Sequence, residues 1–132
     1  MKRRSVSSGT AWETTVGYSR AVRIGNLVEV AGTTAVDERG EVVGKDDPYL
    51  QARYALEKIG RALADAGAGF ESVIRTRMFV TDITRWEEVG RAHGEVFRDI
   101  RPSSTLVQVA SLVRSDLLVE IEATAVVPED SL

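Results

Sequence analysis

The sequence predicts an α+β fold, one mixed sheet with two helices packed on a single face, and three observations carry that expectation. Alternating or β-branched apolar runs recur at residues 21–24, 27–31, 73–80, 103–110 and 118–127. Two stretches with a helical period lie between them, one from Asp47 onward and one following Thr84. Neither a linker nor a repeat interrupts the 132 residues, so the chain reads as one domain over residues 1–132.

The first two runs flank Gly25-Asn26, a two-residue connection that reads as a hairpin because glycine accepts positive φ without a Cβ penalty. A polar turn follows at residues 37–40. Ala52, Ala55, Leu56, Ile59, Leu63 and Ala66 then recur at spacings of three and four, which sets them on one helical stripe. Asp46 or Asp47 can cap that helix, Pro48 suits its first turn, and the glycines at 67 and 69 can end it.

In the run from Val73 to Val80, Ile74, Thr76, Met78 and Val80 share one face, and Arg75, Arg77 and Phe79 the other. Thr84 stands three residues before Glu87, the spacing of a capping box, and opens a second helix with Trp86, Val89, His93, Val96 and Phe97 on its apolar side. Arg101-Pro102 breaks that helix. In the next strand Thr105, Val107 and Val109 oppose Ser104, Leu106 and Gln108; in the last, Val119, Ile121 and Ala123 oppose Glu120, Glu122 and Thr124.

Composition narrows the function classes. A hydrophobic share of 43% is enough for a core without staples, and the absence of cysteine removes thiol nucleophiles, thiolate metal sites and any sign of an oxidising compartment. The basic start at Met1 to Arg4 leads into polar residues where a signal peptide needs an apolar stretch, and no apolar run approaches the roughly 20 residues of a membrane helix. The expectation is a cytoplasmic protein with no membrane partner. A formal charge of -3 with interleaved signs offers no basic field to a phosphate backbone, so no nucleic-acid partner is expected.

With the helices over Val28, Val30, Ile74, Met78, Val107, Val109, Val119 and Ile121, the opposite face carries Glu29, Arg75, Arg77, Phe79, Ser104, Leu106, Gln108, Glu120 and Glu122. Two readings fit that mixture. It is a solvated face laced with cross-strand ion pairs, or it is a packing surface between subunits with polar pockets at the seams.

Several segments in order resemble the RidA/YjgF (Rid) family: residues 17–22, the 25–32 hairpin, the 51–63 helix, residues 78–82, Arg101-Pro102 and residues 119–123. The resemblance runs from Tyr18 to Val127. It implies a chorismate-mutase-like fold, assembled as a homotrimer with a central barrel and three ligand pockets between subunits. It further implies that a small enamine or imine acid is bound by its carboxylate and hydrolysed to a keto acid and ammonia, with no cofactor and no metal.

Carried onto this chain, the resemblance makes Glu120 the acid that holds the attacking water; the same carboxylate could instead pair with Arg75 or Arg77. Tyr18 would reach the ligand with its hydroxyl or serve as interface packing. Gly32, followed by Thr33, would allow close backbone approach or simply end a strand. Ser104 stands where the family's signature arginine belongs, with Thr105 and Leu106 beside it. A serine cannot supply a bidentate guanidinium, and Arg77 is the nearest substitute on the expected face.

Gly90 replaces an asparagine common in the family and His93 a tyrosine one turn later, so both remodel the pocket wall. His93, the only histidine, reads either as a packing residue or as a general base. Trp12, in a stretch free of proline, is a ligand lid or an interface anchor. The expected function is a small-metabolite-binding protein with hydrolase (deaminase) activity on a non-standard imine. A non-catalytic sensor trimer is the alternative, and an endoribonuclease-type translation inhibitor ranks last because no aromatic-plus-basic stripe is present.

Overall fold

A computed structural model describes residues 1–128. Six strands, β1 (Arg3–Val6), β2 (Ala21–Ile24), β3 (Leu27–Thr33), β4 (Val73–Val80), β5 (Ser103–Gln108) and β6 (Val119–Val126), form one sheet in the order β1-β2-β3-β6-β4-β5. Only the β4–β5 pair is parallel, and it is joined through α2 (Trp86–Phe97), as parallel neighbours require a crossover. The other long helix, α1 (Pro48–Asp65), packs beside α2 on the same face.

The core lies between that helical layer and the sheet. Leu56, Ile59 and Leu63 of α1 and Val89 and Phe97 of α2 meet Val28, Val30, Met78, Val80, Val119 and Ile121 from the strands. The α1 stripe is the one that the spacing predicts, capped by the Asp47 carboxylate, which accepts the Leu50 N–H at 3.0 Å, with Pro48 in the first turn.

The polar side chain of Gln51 is fully enclosed there. The Gln51 amide donates to the Gly44 carbonyl at 3.2 Å and the Asp116 carbonyl at 3.0 Å, while its oxygen accepts the Leu118 N–H at 2.8 Å. Every hydrogen-bonding direction of the amide is used except one lone pair, so α1 fixes the entry of β6 two residues before Glu120.

The structure departs from the sequence expectations in four places. Arg3–Val6 is an edge strand paired to β2, although only Val6 is buried; ladder bonds plus one apolar anchor suffice where no alternation is visible. Ile74 is 52% exposed instead of facing the helices, because the β4–β6 register slips between Val73 and Arg75, and the extra residue at 74 turns outward before alternation resumes at Thr76.

The faces of β5 are the reverse of those expected. Ser104, Leu106 and Gln108 pair in register with Thr76, Met78 and Val80, so they face the helices, and Val107 lies outward beside Phe79. A short strand with β-branched residues at one parity and leucine at the other gives no reliable phase. The Thr84–Glu87 capping box is also not the cap used. Asp82 accepts both the N–H and the hydroxyl of Thr84, a short 3₁₀ turn covers Ile83–Arg85, and α2 starts at Trp86.

Candidate functional site: an acid on a glycine and a buried relay

Gly32 sits where the β3–β6 register shifts between Val30 and Thr33. A side chain there has no room: a Cβ on Gly32 would lie 3.0 Å from Cδ of Glu120 and closer still to its carboxylate oxygen. Glu120 thus rests on bare backbone. Burial pushes its carboxyl above the ordinary value, Glu122 adds to the rise, and Arg20 opposes it.

Arg20 is a member of this cluster that sequence reasoning missed. It is 6% exposed, its Nη2 donates to the Gly32 carbonyl at 2.7 Å, and its guanidinium carbon stands 5.6 Å from the centroid of the Tyr18 ring. Tyr18, Arg20, Gly32 and Glu120 are therefore one contiguous group. The segment leading to Tyr18 is a single π-helical turn, Glu13–Gly17, whose buried Glu13 carboxylate accepts from Ser7, Ser8 and Thr10. Burial works against the Glu13 anion, yet these donors together hold its carboxyl below the ordinary value. Trp12 precedes this turn and is 38% exposed. Thr33 does not present its hydroxyl to the group; the side chain is buried and donates to the Ala31 carbonyl at 2.8 Å.

The arginines expected to compete for Glu120 go elsewhere. Arg77 pairs with Glu122 at 3.4 Å, and Arg75 donates to the hydroxyls of Ser103 and Thr105 at 3.0 and 2.8 Å. Among the described residues Glu120 takes part in no ion pair. Arg77 and Thr105 lie on the open face of the sheet and do not reach Ser104.

Ser104 belongs to a second group, on the helical side. Its Oγ lies 2.8 Å from Oγ1 of Thr76, which lies 2.8 Å from Nε2 of His93. Thr76 is fully buried; β5 is an edge strand and Ser104 is exposed, so the chain of hydroxyls runs from the imidazole to solvent. Thr76 has one proton to give. When His93 accepts from Thr76, Ser104 donates inward and shows only lone pairs outward; when His93 donates, Ser104 is left with a free O–H. Burial lowers the His93 pKa, and its ring stacks at 4.6 Å on Phe97. Leu106 packs on the core beside this group, while Gly90 leaves space filled partly by the Trp86 ring, 3.7 Å from where a Cβ would be.

The predicted site residues thus fall into two sets on opposite faces of one sheet. Glu120, Gly32 and Tyr18 are brought together by Arg20, and Ser104 and His93 by Thr76. The signal for Thr76 was its inward parity on β4; nothing in the local pattern around Arg20 distinguishes it from a surface arginine. No group of three or more metal-binding side chains occurs among the described residues, and no helix there is long and apolar enough to cross a membrane.

A mixed sheet of this order with two helices on one side, and an unpaired acid at a glycine bulge, defines a YjgF-type domain. The family model described as Endoribonuclease L-PSP matches residues 8–127, and the chain belongs to that family, which includes the Rid/YjgF proteins. It is 43% identical over 123 residues to SCO2049 of Streptomyces coelicolor, covering 92% of this chain and 90% of that one. It is 34% identical to the 3-aminoacrylate deaminase RutC of Acinetobacter baylyi, over 82% and 85% of the two chains. Among solved structures, Rv2704 of Mycobacterium tuberculosis, a member of the YjgF/YER057c/UK114 family, superposes with a TM-score of 0.88 at 52% identity, covering 96% of this chain and all of that one.

Proposed function

We propose that the protein is a single-domain homotrimer that binds a small imine or enamine acid at the seams between subunits and hydrolyses it. The observation that carries the reading is the Glu120 carboxylate, half-buried on the backbone of Gly32, without an ion pair and with its pKa raised. Such a group is placed to take a proton from water and return it. The 34% identity to a 3-aminoacrylate deaminase supports this reaction class.

Because the two sets of residues lie on opposite faces, a pocket holding both Glu120 and Ser104 needs two copies of the chain, with Tyr18 and Gly32 on one side of the seam and Ser104, Gly90 and His93 on the other. In the reaction, water bound to Glu120 adds to the C=N carbon as its proton passes to the carboxylate. Glu120 returns that proton to nitrogen to complete the carbinolamine and then carries the hydroxyl proton to the same nitrogen, so that the C–N bond breaks, ammonia leaves and a C=O bond remains. Ser104 in place of arginine offers the substrate carboxylate a single hydroxyl in place of a bidentate, oppositely charged guanidinium. Substrates that bind through more than a carboxylate are therefore favoured.

The test uses an amino-acid oxidase to generate imines from a panel of amino acids, with keto-acid release timed in the presence of the native protein, Glu120→Gln and Ser104→Arg. Acceleration by the native chain that falls about 100-fold or more in Glu120→Gln supports the proposal. A trimer that binds imine acids with no acceleration is a binding protein or sensor instead, and activity appearing only in Ser104→Arg assigns the native chain a different ligand.

A further inference from the structure

A cavity of about 220 Å³ lies on the far side of Arg20, between β1 with the Ser7–Thr10 segment, the loop at residues 36–38 and the outer face of α1. Its volume is below the roughly 300 Å³ at which pockets for drug-sized ligands begin. None of the residues assigned to the seam except Arg20 lines it.

The lining is ordered by charge. Arg20 is buried and Lys58 half-buried, so the inner part is cationic, whereas the exposed Glu38, Asp65 and Arg61 give the rim two carboxylates and one guanidinium. The Lys58 ammonium donates to the carbonyls of Thr34 at 2.8 Å and Val36 at 2.9 Å, which leaves one N–H for a ligand. Nε of Arg20 is buried with no hydrogen-bond partner. Asp37 is committed to its own loop, accepting the N–H groups of Arg39 and Glu41. Ser8, Thr10 and Tyr54 add hydroxyls around the wall.

We propose that this cavity is a second small-molecule site, one that takes the zwitterion of a small α-amino acid with its carboxylate toward Arg20 and Lys58 and its ammonium toward Glu38 and Asp65. The proposal stands apart from the reading of Glu120 as a catalytic acid. It adds a consequence for it, because Arg20 also holds the Gly32 carbonyl and so links the two sites.

Burial and the neighbouring Arg20 and Arg61 lower the Lys58 pKa to about 8, with Asp37 and Glu13 pulling the other way. Glu38, Asp65 and Tyr54 are the remaining titratable groups of the lining. A carboxylate brought against the amine favours its charged form, so binding at pH 8 takes up protons.

Isothermal titration of the full chain with L-alanine at pH 8, in two buffers of different ionisation enthalpy, tests this. The expected result is one L-alanine per chain with proton uptake, weakened at least tenfold in Lys58→Met. Lys58→Arg retains binding but loses the proton uptake, and Glu120→Gln still binds one L-alanine per chain. Absence of heat with L-alanine, unchanged binding in Lys58→Met, or tighter binding of acetate than of L-alanine overturns the proposal. Binding lost in Glu120→Gln but kept in Lys58→Met also overturns it, by assigning the ligand to the seam.

Discussion

The carboxylate of Glu120 occupies the space that a side chain on residue 32 would need. The two residues face each other across β3 and β6 where the register shifts, so the glycine is required by the position of the acid and not by backbone torsion. Gly32→Ala is therefore expected to fold, since the end of Glu120 can swing aside, but to lose imine turnover nearly as fully as Glu120→Gln. Keto-acid release and a melting curve on the same preparation check both halves. Unchanged turnover in Gly32→Ala would separate the acid from the chemistry.

Glu120 also makes a prediction for stability. Its folded pKa lies above the ordinary value of 4.5 because burial disfavours the charge. Protonation therefore favours the folded state: the full benefit is present below pH 4.5 and is lost as pH rises through the folded pKa. Glu120→Gln, neutral at every pH, is expected to melt higher than the native protein at pH 7, with the gap closing as pH falls toward 4. For a domain of this size a change of 1 kcal/mol moves Tm by roughly 2–8 °C, so thermal melts at several pH values resolve it. A lower Tm for Glu120→Gln at pH 7 would mean that Arg20 stabilises the anion more than burial opposes it.

How far the site was legible in the sequence follows from these same residues. The α1 stripe and the β2–β3 hairpin were readable because periodicity and a Gly-Asn turn are local signals. The place of Glu120 was readable in part, since its parity on β6 set the face correctly. The bulge at Ile74 and the phase of β5 were not readable, since both depend on which neighbour a strand pairs with. The role of Arg20 depends on a carbonyl twelve residues away, and that of Thr76 on hydroxyl and imidazole partners in two other elements.

The hydroxyl relay between His93 and Ser104 gives a test with a clean signal, because His93 is the only histidine. Its folded pKa lies below 6.5 through burial, so it contributes stability above that pH which is lost as pH falls below it. The imidazole proton resonances are expected to titrate with a midpoint below 6.5. Thr76→Val keeps the shape and removes both hydrogen bonds, leaving Nε2 of His93 without a partner at a cost of about 1–3 kcal/mol. The denaturation midpoint should fall accordingly, and Ser104 loses its coupling to the imidazole. A His93 midpoint at or above 6.5 would show that the ring is solvated and that the relay does not form.

The open face of the sheet carries the prediction about assembly. Leu27 and Val126 stand directly opposite each other and are 42% and 36% exposed, and Val107, 41% exposed, pairs with Phe79 further along the same face. Apolar side chains in that setting, flanking the Arg77–Glu122 pair and the Glu29–Thr124 hydrogen bond, belong to a surface that a second copy can cover. None of the three contributes to the core between sheet and helices, so replacing one by glutamate leaves the fold of a single chain almost undisturbed and acts on association alone. In sedimentation equilibrium the native protein is expected to behave as three 14.4 kDa chains, and Leu27→Glu or Val107→Glu as one. Turnover of imines should vanish together with the trimer, because the proposed pocket sets Glu120 of one copy against Ser104 of another. A native protein that sediments as a single chain, or a monomeric variant with full activity, would place the whole site within one subunit and overturn the two-copy pocket.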